Sequence, residues 1–242
     1  TGGFLLAVVL FGLSSLVIWF FLRPDPLVVS GGVNPSATVN KRTVPFREAL
    51  AIAWAHPLAR LAFAALVISQ AVMVMVMAMT PLHMEDHGHS KGWIGAVISA
   101  HTAGMFAFAP IAGRISDGIG RVQTIVLAGF TLVGATAFTA LAGDAPRGLL
   151  FPGLFLLGLG WSFGVVAGSA LLTESVAESD RVAVQGAADL ATNVASGIGA
   201  LTAGIVVSSA GYHFLSLIGM AAAGALMAQS WFENRLAGAH PD

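Results

Sequence analysis

Charged side chains are scarce in this sequence. Asp, Glu, Lys and Arg make up only 10% of its 242 residues, whereas a soluble domain has about 25%. Several runs of about twenty residues are almost free of polar side chains. A helix exposed to water would have a polar side chain at every third or fourth position, so an ordinary soluble helical protein is excluded. The chain is a membrane protein.

Cysteine is absent and lysine is rare. Without cysteine the chain has no disulfides and no thiol chemistry. Its net charge of −1 lacks the basic excess of a nucleic-acid-binding protein, so we expect no nucleic-acid partner. The two lysines, Lys41 and Lys91, both fall in polar connections. A retinal protein needs a Schiff-base lysine within a span, so this seven-helix class is excluded too.

Long apolar stretches are what the sequence has in abundance. A transmembrane helix needs about 20 apolar residues, because lipid cannot satisfy an open backbone. Seven stretches qualify, namely residues 3–22, 59–80, 92–113, 122–143, 148–172, 187–209 and 212–232. The first has neither the positive flank nor the cleavage site of a signal peptide. The sequence therefore predicts an all-α polytopic membrane protein with seven transmembrane helices.

One connection is long. Residues 23–58 are rich in Pro, Gly, Ser and Asn in their first half, as in a linker. Residues 45–55 are predicted to form a short amphipathic helix on the inner membrane surface. The linker divides the first helix, residues 1–22, from a six-helix bundle at 59–232, which a tail at 233–242 follows. One helix before a linker and six after it is an unusual arrangement, and the chain begins with Thr1. We therefore expect the chain to be part of a longer protein.

The basic residues predict the orientation. Lys and Arg stay on the cytoplasmic side of a membrane. Nine of the eleven fall in the odd-numbered connections and the C-terminal tail. This bias places residues 113–121 and the C-terminus inside the cell, and it is consistent with a protein of the cell membrane.

Residues 113–121, "GRISDGIGR", interrupt two apolar stretches, and we call them the signature segment. A phosphate-binding glycine loop would follow a strand and contain Lys-Ser/Thr, so a nucleotide site is not expected. As an inner turn, its glycines let two helix ends approach closely. Asp117 is then placed to cap the next helix. Arg114 and Arg121 are available to pair with Asp117 or with an acid on a neighbouring helix.

The signature segment resembles the G-x-x-x-D-R-x-G-R-R motif of the major facilitator superfamily. Four positions match, namely Gly113, Asp117, Gly120 and Arg121. Gly118 replaces the first arginine of the motif and Val122 the last, which predicts that one gating contact is weak or missing.

The resemblance implies twelve helices in two six-helix halves joined by a long inner loop. Residues 1–22 would be helix six, 23–58 the central loop and 59–232 helices seven to twelve, with helices one to five as missing partners. It also implies a transporter rather than an enzyme, without a cofactor, that binds a small-molecule substrate and works by alternating access within the lipid bilayer.

The substrate and the driving force are less closely defined. No nucleotide site is visible, so an ion gradient is the expected drive. A mostly apolar cavity wall favours a lipophilic or neutral organic molecule, and proton-coupled export of drug-like compounds is the preferred hypothesis. Uptake of a small metabolite is the alternative. A seven-helix receptor is less favoured, because it leaves the charged signature segment unexplained.

Polar side chains within spans mark the candidate pathway, since they are costly there and often functional. The sixth span has a polar stripe at helical spacing, namely Gln185, Asp189, Thr192, Asn193 and Ser196. Two interpretations of Asp189 stay open. It is either an interfacial acid paired with Arg181, or a cavity-lining carboxylate that binds a proton or cation.

Other spans contribute single candidates. His101 and Thr102 lie a third of the way into the third span, where a histidine either exchanges protons or bonds to a neighbouring helix. Gln70, in the middle of the second, either contacts substrate or packs. Glu174 is predicted to pair with Arg114 or Arg121 and hold an inner gate shut, or else to lie in a solvated loop.

Two patterns are interpreted as decoys. Ser162 lies in a G-x-S-x-G pattern, but the nucleophile of that motif needs a strand-to-helix elbow. Helix packing through small residues is preferred over an intramembrane serine protease. Residues 83–89 contain three histidines and two acids on the outer side. They are predicted to be a polar loop rather than a metal site, because no ligand spacing is specific.

The natural lack of cysteine makes the topology testable. With Gly118→Cys in the signature segment, a membrane-impermeant maleimide should label the protein in opened cells only. With His89→Cys on the predicted outer side, it should label intact cells. Labelling of Gly118→Cys from outside intact cells would contradict the orientation.

Overall fold

The computed structural model describes residues 2–24, 29, 44–142 and 148–239. The helices in these ranges are α1 Gly2–Phe21, α2 Phe46–Ala55, α3 Pro57–Asp86, α4 Lys91–Phe106, α5 Ala109–Ile119, α6 Arg121–Leu141, α7 Leu150–Glu174 and α8 Arg181–Ala239. The chain divides into two compact units. The first, Thr1–Thr43, contains α1, and the second, Val44–Asp242, contains α2 to α8.

The all-α membrane architecture is confirmed. Six helical stretches of the described residues are long and apolar enough to cross a membrane. The last of them, Arg181–Leu236, is long enough to cross twice. It breaks at Gly211, whose φ of +83° lies in the left-handed region that glycine adopts without steric cost. We call the parts α8a (residues 181–210) and α8b (residues 212–239), and with them the chain has the seven predicted crossings.

The bounds of several helices differ by a few residues from those of the predicted segments. The linker was predicted to run to residue 58, but α3 begins at Pro57. The predicted amphipathic helix is present as α2, although most of the linker before it lies outside the described residues. The tail predicted from residue 233 is a helical continuation of α8 through Ala239. The predicted polar loop at 83–89 is wrong in its first half, because α3 continues past Pro81 to Asp86.

The third predicted span is two helices. α4 ends at Phe106, and α5 begins at Ala109 after a turn. Pro110, at the start of α5, has no N–H, and its ring would clash with the carbonyl of Phe106 in a continuous helix. The helix is therefore interrupted at residues 107–108, before the crossing reaches the signature segment.

The bundle is built around α3 and α7. α3 packs against α7 and contributes to two of the three clusters of buried apolar residues among the described residues. α7 also packs against α4 and α6. The hydroxyl of Tyr212 is 2.7 Å from that of Thr80, which ties the start of α8b to α3.

Small residues set the distance between α4 and α7. A methyl group on Gly158 would lie 2.2 Å from the carbonyl oxygen of His101, and one on Gly104 would lie 2.5 Å from that of Phe155. Because the helices have no hydrophobic effect to drive their association in lipid, such close backbone contact is what holds them together. The predicted packing role of the glycines in α7 is confirmed as well. Gly164 faces Ser69, and Gly168 faces Leu66.

Gly158→Ala is therefore expected to destabilise the bundle, because the new methyl group meets backbone atoms that cannot rotate away. Gly134→Ala is the matched control, since a methyl group there has nothing within 4 Å and replacing a helical glycine by alanine is worth about 0.5–1 kcal/mol in favour of the helix. Thermal unfolding in detergent should show a lower midpoint for Gly158→Ala alone. Equal midpoints would contradict the packing.

Candidate functional site

The signature segment is mostly helix. Gly113 and Arg114 lie within α5, and Asp117 lies in its last turn. The prediction of an inner turn is wrong except at Gly120, where φ of +100° separates α5 from α6. The capping role predicted for Asp117 is wrong too, because the N-cap of α6 is Gly120 and no side chain caps it.

Arg121 connects three helices at this point. Its Nη1 donates to Ser116 Oγ at 3.0 Å and also to Asp117 Oδ1, both in α5. Its Nε and Nη2 donate to Oε1 of Glu174, at the end of α7, at 3.2 and 3.1 Å. We call Ser116, Asp117, Arg121 and Glu174 the inner cluster. The structure thus brings Arg121, Asp117 and Glu174 together, which is one of the alternatives that the sequence leaves open.

The inner cluster lies at the surface of the described chain. The side chains of Asp117 and Glu174 are 68% and 54% exposed, and that of Arg121 is 25% exposed. Exposed ion pairs contribute about 0–1 kcal/mol each. Arg114, the other predicted partner of Glu174, forms no ion pair with any residue that the structure describes. The cluster therefore fixes geometry rather than supplying much stability.

A second, more buried ion pair was missed by sequence reasoning. Arg60 donates from Nε and Nη2 to both carboxylate oxygens of Glu233, at 3.0 and 2.7 Å. The side chain of Glu233 is only 7% exposed. Arg60 also donates to the carbonyl of Trp54 at 2.9 Å, so the pair joins α2, α3 and α8b. The signal was present in the sequence, since an Arg at the start of the second span and a Glu at the end of the last lie at the same membrane level.

Gln70 is paired across the middle of the bundle. Its side-chain oxygen accepts a hydrogen bond of 2.6 Å from the indole N–H of Trp161 in α7. The ring of Phe106, at the end of α4, stands edge-on to Trp161 with 5.8 Å between ring centroids. Phe106 is 60% exposed, so this aromatic pair continues to an open face of the bundle.

The two candidates of the third span, His101 and Thr102, have different surroundings. His101 is buried, and its Nδ1 lies 3.0 Å from the carbonyl oxygen of Leu154. Because a carbonyl only accepts, Nδ1 carries the proton and donates to it. Thr102 is exposed, and its hydroxyl donates to Ile98 of its own helix at 3.0 Å. One candidate therefore joins α4 to α7, and the other faces outward.

Asp189 lies on an exposed face of α8a. It accepts a hydrogen bond of 3.1 Å from Gln185, and the Asn193 amide donates to its carbonyl oxygen at 2.8 Å. No ion pair joins it to Arg181, although the structure describes both residues. They are eight positions apart, which is about 12 Å along a helix. The pairing considered as one interpretation is therefore not formed, and we call Gln185, Asp189 and Asn193 the polar face of α8a.

Neither decoy forms a reactive site in the described residues. Ser162 lies within α7 rather than at an elbow, and its buried hydroxyl has no hydrogen-bond partner there. Histidine and carboxylate side chains of the described residues form no group of three or more that could hold a metal ion. His83 instead stacks on Tyr212, with 4.3 Å between ring centroids.

Comparison with known proteins decides the family. The sequence model of the Major Facilitator Superfamily matches residues 61–241. The chain belongs to the major facilitator superfamily. The match covers nearly all of the six-helix bundle, including the signature segment and the inner cluster.

Individual relatives within the superfamily support this assignment. The chain is 33% identical over 222 residues to YdeG, an uncharacterized MFS-type transporter of Bacillus subtilis strain 168, and the alignment covers 90% of the chain and 50% of YdeG. It is 30% identical to YddS, an uncharacterized MFS-type transporter of the same bacterium, over 90% of the chain and 50% of YddS. It is 31% identical to the riboflavin transporter RfnT of Brucella anthropi, over 89% of the chain and 51% of RfnT.

The chain spans about half the length of these curated members of the superfamily. Their names are those of transporters rather than enzymes, as the sequence predicts for this chain. No solved structure matches the chain.

The two ion pairs of this superfamily member should differ in their effect on stability. Glu233→Gln removes the buried carboxylate that pairs with Arg60. Breaking a fully buried pair costs about 3–5 kcal/mol, and the loss here should be smaller because the Arg60 side chain is 26% exposed. Glu174→Gln alters an exposed pair that is worth about 0–1 kcal/mol. The two substitutions are isosteric, so unfolding in detergent compares them directly. A loss of stability for Glu174→Gln as large as that for Glu233→Gln would contradict the assignment.

Proposed function

We propose that the chain is the C-terminal part of a secondary active transporter that moves a small organic, drug-like molecule across the cell membrane. Transport proceeds by alternating access and is coupled to protons, with export as the preferred direction. Helices one to five, which are not in this chain, supply the other half of the substrate site. The C-terminus lies in the cytoplasm.

The observation that supports coupling is the position of Asp189. It is the one acidic residue within the predicted spans, and it lies about 12 Å into α8a on an exposed face. A carboxylate facing hydrocarbon is costly, so intramembrane acids face water or protein. The polar face of α8a therefore lines a cavity or faces the missing helices. There Asp189 takes up and releases the coupling proton.

The same reasoning supports a lipophilic or neutral substrate. The candidate wall consists of the Gln70 amide, the Trp161 indole, the Phe106 ring and the Thr102 hydroxyl. None of these is charged, and the hydrogen bond from Trp161 leaves the amide nitrogen of Gln70 to donate elsewhere. Aromatic surface with a few hydrogen-bonding groups is typical of sites for small organic ligands.

The inner cluster is proposed to be the inner gate of this half. Arg121 links α5, α6 and the end of α7 through exposed pairs, each of which contributes little free energy. A gate must open and close during each cycle, so contacts of this strength are suitable. His101 is proposed to hold α4 against α7 rather than to conduct protons, since its Nδ1 proton is engaged by Leu154.

Uptake of a small metabolite is the second candidate. It is favoured by the 31% identity to RfnT, which is named a riboflavin transporter. Riboflavin is a flat aromatic molecule with polar edges, and such a molecule could contact Trp161 and the Gln70 amide. Both candidates use the same residues and differ in substrate and direction.

Asp189→Asn should abolish transport driven by a proton gradient while leaving expression and folding intact, because the amide cannot exchange a proton. Ethidium efflux and radiolabelled riboflavin uptake are measured in cells that express the complete natural coding sequence. Asp180→Asn, in the exposed connection before α8, is the matched control and should retain full activity. Full gradient-driven transport by Asp189→Asn would contradict the coupling role.

The two probe substrates, ethidium and riboflavin, also distinguish the two proposed functions. Loss of ethidium efflux in Asp189→Asn, with no riboflavin uptake in the unaltered protein, supports export. Riboflavin uptake without ethidium efflux supports the second candidate. If neither probe moves, the preferred substrate class is contradicted.

A further inference from the structure

The outward side of α2 forms a shallow groove. On the other side, Ala49 and Ala53 are buried where α2 packs against α3 and α8. The groove has a volume of about 500 Å³ and is lined by Arg47, Leu50, Ala51 and Trp54. Their spacing of three, four and seven residues places them on one face of the helix. This face presents a cation at one end and an indole at the other, with aliphatic side chains between.

The groove is held firmly to the bundle. The Trp54 carbonyl accepts from Nη1 of Arg60 at 2.9 Å, and Arg60 is itself fixed by its two bonds to Glu233. The Trp54 ring stands edge-on to Phe63 of α3, with 5.4 Å between centroids. Trp54 nevertheless stays 52% exposed. A ligand on this face therefore meets an ordered surface.

Side chains at the end of α8b indicate that this end of the bundle lies at a membrane boundary. Trp231 is 59% exposed, and the Arg235 guanidinium lies 3.8 Å from its ring centroid. Glu233, between them in sequence, bonds to Arg60, which follows α2 closely. Exposed indoles beside basic groups are typical of the headgroup level of a bilayer. α2 lies at the same end of the bundle, so its groove faces the same layer.

The charged side chains around the groove favour the binding of an anion. Glu233 is neutralised by Arg60 and is buried, so it does not oppose a negative ligand. Glu48, next to Arg47, is half-buried and has an interaction of its own. Arg47 is exposed at the end of the groove. The bias of basic residues places this end in the cytoplasm, where the leaflet contains anionic lipids.

We propose that this groove binds an anionic phospholipid of the inner leaflet. Arg47 pairs with the phosphate oxygens of the headgroup, while Leu50, Ala51 and Trp54 contact the glycerol and upper acyl region. The site is separate from the proposed substrate pathway. It would fix the amphipathic helix, and through Arg60 the inner ends of α3 and α8b, to the membrane surface.

Native mass spectrometry tests this site with lipids as the probes. The protein, expressed from its complete natural coding sequence, is incubated in detergent with equal amounts of phosphatidylglycerol and phosphatidylcholine. The unaltered protein should retain phosphatidylglycerol preferentially. Arg47→Gln should retain about fivefold less of it, since one basic side chain near a membrane surface contributes about this factor.

Arg181→Gln is the matched control, because it removes the same charge from the same predicted side of the membrane and Arg181 does not line the groove. It should retain phosphatidylglycerol like the unaltered protein. Trp54→Ala should weaken retention of both lipids, since the indole contacts parts that they share. Equal retention of the two lipids by the unaltered protein would overturn the proposal, as would equal losses for Arg47→Gln and Arg181→Gln.

Discussion

Hydrocarbon offers no partner for a hydrogen bond, and most of this structure follows from that constraint. It requires helices, because only a helix satisfies its own backbone within one crossing. It also removes the hydrophobic effect as a force between helices, so α4 and α7 associate through the close contact of Gly104 and Gly158 with facing backbone. A polar side chain without a partner is costly within a crossing, and Gln70 and His101 are satisfied by Trp161 and the carbonyl of Leu154.

The same constraint applies to polar groups that face outward from the bundle. Asp189 and Thr102 are exposed, although large exposed side chains on the same two helices are apolar, such as Leu190 and Phe106. A carboxylate facing hydrocarbon is costly. The position of Asp189 on α8a therefore suits contact with water or protein.

The ion pairs at the inner ends of the helices divide by burial. The Arg60–Glu233 pair is shielded and joins the first and last helices of the bundle with α2, so it suits a permanent contact. The pairs of Arg121 are exposed and join helix ends at the break at Gly120, so they suit a contact that is made and broken. Similar side chains thus form one shielded and one exposed set of ion pairs.

The sequence by itself determined the membrane class, the seven crossings and the family resemblance, because apolar length and the signature residues are local properties of the chain. Its alternatives included pairs of Arg121 with Asp117 and with Glu174. Only the tertiary structure decided that these pairs form, that the signature segment is helical, that Asp189 does not pair with Arg181 and that Glu233 binds Arg60. The sequence puts Arg60 and Glu233, which are 173 positions apart, at the same membrane level. Which charged groups meet at that level depends on how the helices pack, and no local pattern records that packing.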